Sequence, residues 1–172
     1  MDNVPLLEFL AEHYPEHIVE KHHQTGDATV RVRRESVMEF FRALKESEPL
    51  DFNFLMDLTA VDYLGESERF EVVYHLYSLA KNHRLRVKVR VAESDPELES
   101  LTPLWKGADW LEREVWDMYG IRFRGHPNLR RVLMYEQFRG HPLRKDYPAN
   151  GRQPLVEHKE IEGTFCDPPS RK

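Results

Sequence analysis

Apolar and polar positions along the chain predict a short series of alternating elements. Val4 to Tyr14 reads as a helix with Leu6, Leu7, Leu10 and Tyr14 sharing a face, and Pro15 stops it. Ile18–His23 and Ala28–Arg33 are extended segments around Thr25-Gly26-Asp27, a turn signal. Ser36–Ser47 carries Val37, Phe40, Phe41 and Leu44 at helical spacing. Phe52–Tyr63 is apolar on both faces, the pattern of a central strand or a bent one. The clearest pair is a hairpin of Arg69–Ala80 and Arg84–Ala92. Phe70, Val72, Tyr74 and Leu76 alternate on its first strand, and Leu85, Val87, Val89 and Val91 on its second. Arg84, Arg86, Lys88 and Arg90 fall on the other face, which reads as solvated, and Asn82 suits a positive φ in the loop.

Glu97–Leu101 is expected to make one helical turn. Leu104–Tyr119 contains the strongest helix, with Leu104, Ala108, Leu111, Val115 and Met118 on its core stripe and Gly120 ending it. On this reading Glu112 lies on the polar face, and Arg113 pairs with Asp117 at i, i+4. Arg130–Phe138 is compatible with a short helix or a strand. The order of elements defines an α+β fold class: a mainly antiparallel sheet with helices packed on one face, followed by an irregular C-terminal extension. Residues 1–148 form the single α+β domain and 149–172 a polar extended tail.

Composition narrows the function classes. The 172 residues suffice for one domain with a core, at 40% hydrophobic and 32% charged. A net charge of −5 opposes nucleic-acid binding by the domain as a whole. The apolar runs are too short to cross a bilayer, and the N-terminus lacks the features of a signal peptide, so membrane association is expected only indirectly, through a partner. The single cysteine, Cys166, precludes an intrachain disulfide and a Cys-ligated cluster made by this chain alone. There is no Gly-rich phosphate loop, and nothing supports a Ser/His/Asp or Cys/His catalytic arrangement. No catalytic, cofactor-binding or metal-binding residue is assigned. The chain's nine histidines lack a completing ligand set; His126 and His141, in matching Arg-Gly-His-Pro repeats, read as backbone hydrogen-bonding groups of turns.

The densest stretch is Leu111–Pro148. Between Arg122 and Lys145 it holds seven Arg/Lys and one acid, Glu136. Gly-His-Pro turns are poor groove readers, whereas arginine forks held by turns suit carboxylates on a protein partner. The candidate partner-interface residues are Glu112, Arg113, Trp116, Arg130, Arg131, His141, Arg144, Lys145 and Asp146.

Glu112-Arg113-Glu114, Trp116–Gly120, Gly125-His126-Pro127, Leu129-Arg130-Arg131, Leu133-Met134 and Gly140–Pro148 together resemble the C-subunit family of NADH-quinone oxidoreductase, the 30-kDa subunit of respiratory complex I. A weaker likeness extends upstream through Leu58–Tyr63 and the hairpin. The resemblance implies a non-catalytic scaffold and assembly subunit of the hydrophilic arm of a proton-translocating enzyme. It implies docking beside the 49-kDa (D-type) subunit, near the quinone end of the electron path. NADH, FMN, iron–sulfur clusters and quinone would then be handled by other subunits. The expected location is the cytoplasmic side of the cell membrane, peripheral within a membrane-bound complex. The alternatives are the equivalent subunit of an energy-converting hydrogenase and a free-standing basic-patch binding module.

Overall fold

The computed structural model describes residues 3–24, 26–153 and 155. Strands β4 (Phe70–Ser78) and β5 (His83–Val91) pair antiparallel in unbroken register from Phe70 opposite Val91 to Ser78 opposite His83. Asn82 takes φ +50° in the loop and accepts a 2.6 Å hydrogen bond from the Tyr77 hydroxyl. Leu85, Val87, Val89 and Val91 are buried, as alternation requires. The basic row opposite them differs from the expected solvated face. Arg86 pairs with Asp27 at 2.7 Å, and Lys88 and Arg90 both pair with Glu71, at 2.9 and 3.2 Å. Glu71 is buried between the two cations, so β4 is covered on both faces over part of its length.

Around this hairpin the sheet has the order β1-β2-β5-β4-β3, with β1 at Ile18–His22, β2 at Thr29–Val32 and β3 at Phe54–Asp62. Every pairing is antiparallel except β2 with β5. Strand β3 is therefore an edge strand, not the central one its apolar run suggests. Leu55, Leu58 and Ala60 face the core, while Phe54, Met56 and Val61 stand exposed, and the register shifts between Leu55 and Asp57.

Helices α1 (Asn3–His13) and α2 (Val37–Glu46) close the apolar face with Leu6, Leu10, Phe40, Phe41 and Leu44. Phe41 stacks against Tyr74 with ring centroids 4.7 Å apart and meets Trp105 edge-on at 6.1 Å. Glu97–Glu99 is a strand, β6, not a helical turn. It pairs parallel with β7 (Arg122–Arg124), because Leu98 and Phe123 side by side reach the core while Glu99 meets Arg124 outside. Helix α3 spans Ala108–Tyr119; Leu104 precedes it in a turn. Residues 130–138 form neither helix nor strand. Most of the expected tail, including Cys166, lies outside the described residues.

Candidate functional site

Helix α3 buries Ala108, Val115 and Met118 on its core stripe and ends where Gly120 takes φ +79° and donates to the Trp116 carbonyl. Its last turn carries Asp117, which is fully buried. One carboxylate oxygen accepts from Arg131. The other accepts three successive backbone N–H groups: Val132 at 3.1 Å, and Leu133 and Met134 at 2.9 Å each. Burial pushes the Asp117 pKa up, but the Met134 amide, Arg131 and the other two amides outweigh it and hold it below the usual carboxylate range. The N–H groups of Val132, Leu133 and Met134 are thus satisfied by a side chain and not by a helix or a strand partner.

Arg131 also donates to the Phe138 and Gly140 carbonyls, at 2.9 and 3.1 Å. Arg113 donates to the carbonyls of Arg130 and Arg131, at 3.1 and 3.2 Å. The expected Arg113–Asp117 pair is therefore replaced: Asp117 takes Arg131, and Arg113 lies 3.8 Å from Asp109. His141 Nδ1 donates to the Asp117 carbonyl at 3.0 Å, and Arg144 Nε donates to that of Tyr119. His126 Nε2 meets the Asp109 carbonyl, so both repeat histidines bond backbone as read from the turns. Gly125 and Gly140 both adopt positive φ in their turns.

Residues 130–146 form a strap across the end of α3, and a second clasp holds its far end. Arg69, 2% exposed, binds Asp62 through Nε at 2.9 Å and Nη2 at 2.8 Å. The same guanidinium takes Asp146, at 2.6 and 3.1 Å, and Glu93 at 2.6 Å. Asp62 in turn accepts the Lys145 backbone N–H at 2.8 Å. The side-chain bond from Arg69 holds Asp62 below its ordinary pKa.

Glu112 departs furthest from expectation. It is fully buried, accepting from Ser100 Oγ at 2.7 Å and from Leu101 N–H at 2.6 Å, so it ties α3 to the segment after β6. Burial pushes its pKa up to about 7. Glu112, Arg113, Arg131 and Asp146 are thus engaged within the chain, with Asp146 still half exposed. Arg130 and Lys145 are exposed, and Trp116, His141 and Arg144 are half-buried. Neither buried Asp62 nor Arg69 stood among the candidates; Arg69 opens an apolar strand, where a lone cation can signal a buried partner.

What the strap shows outward is apolar as well as basic. Leu133, Tyr135 and Leu143 are 55%, 40% and 52% exposed, and Trp110 on α3 is 64% exposed beneath the Arg113 guanidinium. Among the described residues no three His, Cys, Asp or Glu side chains gather as a metal site, and no helix is long and apolar enough to cross a membrane. Pinned turns with apolar side chains turned outward have the build of a docking module.

The chain belongs to the family described as respiratory-chain NADH dehydrogenase, 30 Kd subunit, whose model matches residues 30–153. It is 52% identical over 126 residues to the C subunit of NADH-quinone oxidoreductase from Citrifermentans bemidjiense, covering 73% of this chain and 77% of that one. With the C subunit from a Roseiflexus species it shares 47% over 153 residues, 89% and 88% of the two chains. Among solved structures, a trypsin-resistant fragment of Nqo5 superposes with a TM-score of 0.64 at 38% identity, covering 75% of this chain and all of that one. A chain of an archaeal membrane-bound sulfane sulfur reductase superposes at 0.66 with 24% identity, covering 78% and 77%, a likeness of fold alone.

Proposed function

We propose that this chain is a scaffold and assembly subunit in the hydrophilic arm of an NADH-quinone oxidoreductase and docks beside the 49-kDa (D-type) subunit. It carries no catalytic residue and binds no cofactor. NADH, FMN, iron–sulfur clusters and quinone belong to other subunits, and the chain sits peripherally on the cytoplasmic side of the membrane through them. Its identity with the C subunits of that enzyme favours this complex over a hydrogenase. Salt-bridged sheet cations and outward apolar residues on the strap favour a protein partner over nucleic acid.

One observation carries the reading. The strap's fixing bonds run inward, to Asp117 and Arg69, while Leu133, Tyr135 and Leu143 face out. Such side chains gain most when a partner covers them. The test is Leu133→Asp with Leu143→Asp in the intact complex. The purified chain should melt as wild type, while incorporation into membrane-bound quinone reductase falls. Activity should fall in proportion to assembled complex, with turnover per complex unchanged. Normal assembly with slowed turnover would overturn the scaffold assignment.

A further inference from the structure

Where α3 ends, a groove of about 550 Å³ opens between the helix terminus and the loop leading into β6. Trp116, Arg131, His141 and Arg144 line it together with Asp95, Glu97 and Arg122, the last two side by side on the paired strands β6 and β7. We infer that this groove receives an acidic side chain, Asp or Glu, from a neighbouring polypeptide of the complex, held by Arg122 and Arg144. The inference rests on the docking role proposed above and adds a second, separate contact to it.

Most charges around the groove are already matched. Arg131 is neutralised by Asp117, and Asp95 by Arg34 at 2.7 Å. Glu97 lies 3.8 Å from Arg124. Two cations remain. The exposed Arg122 side chain makes no hydrogen bond or ion pair among the described residues, although its backbone is fixed by an N–H to the Pro96 carbonyl at 2.8 Å. Arg144 donates through Nε to Tyr119 and lies over the Phe70 ring with 5.1 Å to the centroid; its terminal nitrogens make no hydrogen bond or ion pair among the described residues. The Arg144 fork is positioned by backbone and packing before any partner arrives, whereas Arg122 has a fixed backbone and a side chain that is ordered on binding.

Gly120 lets Arg144 and His141 pack closely against the helix end. A Cβ there would lie 2.6 Å from Arg144 Nη2 and 2.7 Å from His141 Nε2, so these side chains occupy the place a larger residue would take. Trp116 and His141, edge to face at 6.5 Å, supply an apolar wall for the methylenes of a Glu or Asp. The two guanidinium groups match the two oxygens of one carboxylate, whereas a polyanionic strand would bring further negative charge against Asp95 and Glu97.

The experiment places a photo-crosslinking benzoylphenylalanine at position 122 of the chain in the assembled, membrane-bound complex. Illumination should join it to an Asp- or Glu-bearing segment of another subunit. Arg122→Glu should lower the assembled fraction about tenfold, Arg122→Lys should do so less, and changing the cross-linked acid to Arg should restore assembly with Arg122→Glu. Cross-links confined to lipid, to nucleic acid or to this chain itself would overturn the inference, as would failure of the charge swap. Normal assembly of Arg122→Glu while Leu133→Asp with Leu143→Asp fails would overturn the groove and leave the docking strap standing. Normal assembly of both would remove the docking role as well.

Discussion

Arg69 and Asp146 meet across 77 positions of sequence, Nη2 to Oδ1 at 2.6 Å and Nη1 to Oδ2 at 3.1 Å. Asp62 holds the same guanidinium from the edge strand, so one buried cation joins the sheet to the end of the strap. The two carboxylates are not equivalent. Asp62 is buried, whereas Asp146 is half exposed and screened by water.

Removing the shared cation should therefore be severe. Arg69→Met leaves Asp62 buried without its partner and should cost about 3–5 kcal/mol in urea unfolding. Asp146→Asn should cost about 1 kcal/mol or less. Equal losses would mean that the strap end and the sheet edge are tied with similar strength.

Asp117→Asn keeps the shape but removes the charge that three amides and Arg131 converge on. A loss of about 2–4 kcal/mol is expected, since the partly buried Arg131 loses its counter-charge and the three amides lose a charged acceptor. Hydrogen exchange at Val132, Leu133 and Met134 should quicken, with trypsin cleaving after Arg130 or Arg131. Protection unchanged at those amides would contradict the cradle. Because the folded pKa is depressed below 3.8, the stability Asp117 supplies is present above that value and is lost as pH falls through the folded one.

Glu112 behaves in the opposite sense. Its pKa rises from 4.5 to about 7 on folding, so between these values the folded state keeps a proton that the unfolded state has released. Stability should be greatest below 4.5 and fall towards pH 7 by up to about 1.4 kcal/mol per pH unit from this group. Glu112→Gln should flatten that slope and be the more stable protein at pH 8. Glu112→Ala should cost about 1–3 kcal/mol, by leaving the Leu101 amide and Ser100 hydroxyl unsatisfied. Denaturant titrations at pH 5 and 8 separate these outcomes.

Gly120→Ala tests the close packing at the helix end. It combines a left-handed φ with contacts of 2.6 and 2.7 Å, and should cost about 1–3 kcal/mol. Displacement of the His141 ring should be visible as a changed imidazole chemical shift. A neutral substitution would show that Arg144 and His141 yield freely.

The hairpin and the apolar stripe of α3 were legible because both are local, periodic patterns. Glu112 was misread since a glutamate on a helix ordinarily faces water. Yet it lies four positions after Ala108, about 40° round the helix from it and within the buried arc. Asp117 offered no such sign: it lies opposite Ala108 on the helix, and its partners come fourteen to seventeen residues later, brought in by turns. The edge position of β3 and the β6–β7 pairing were hidden for a related reason. An apolar run does not reveal which strands flank it, and a three-residue strand gains its identity only from a partner 25 residues away. The strap itself was legible as an unusual density of basic residues, but not which of them turn inward.

The Arg69–Asp146 bond also sets a clock. During synthesis Asp62 and Arg69 leave the ribosome first and can hold each other. Glu93 joins them 24 residues after Arg69, and Asp146, the last partner, follows 77 residues after it, about 4–15 s at ordinary elongation rates. Until then the outward residues of the strap have no fixed geometry to offer. On the docking role proposed above, a neighbouring subunit that recognises this geometry would read the state of the whole domain and pass over an interrupted chain.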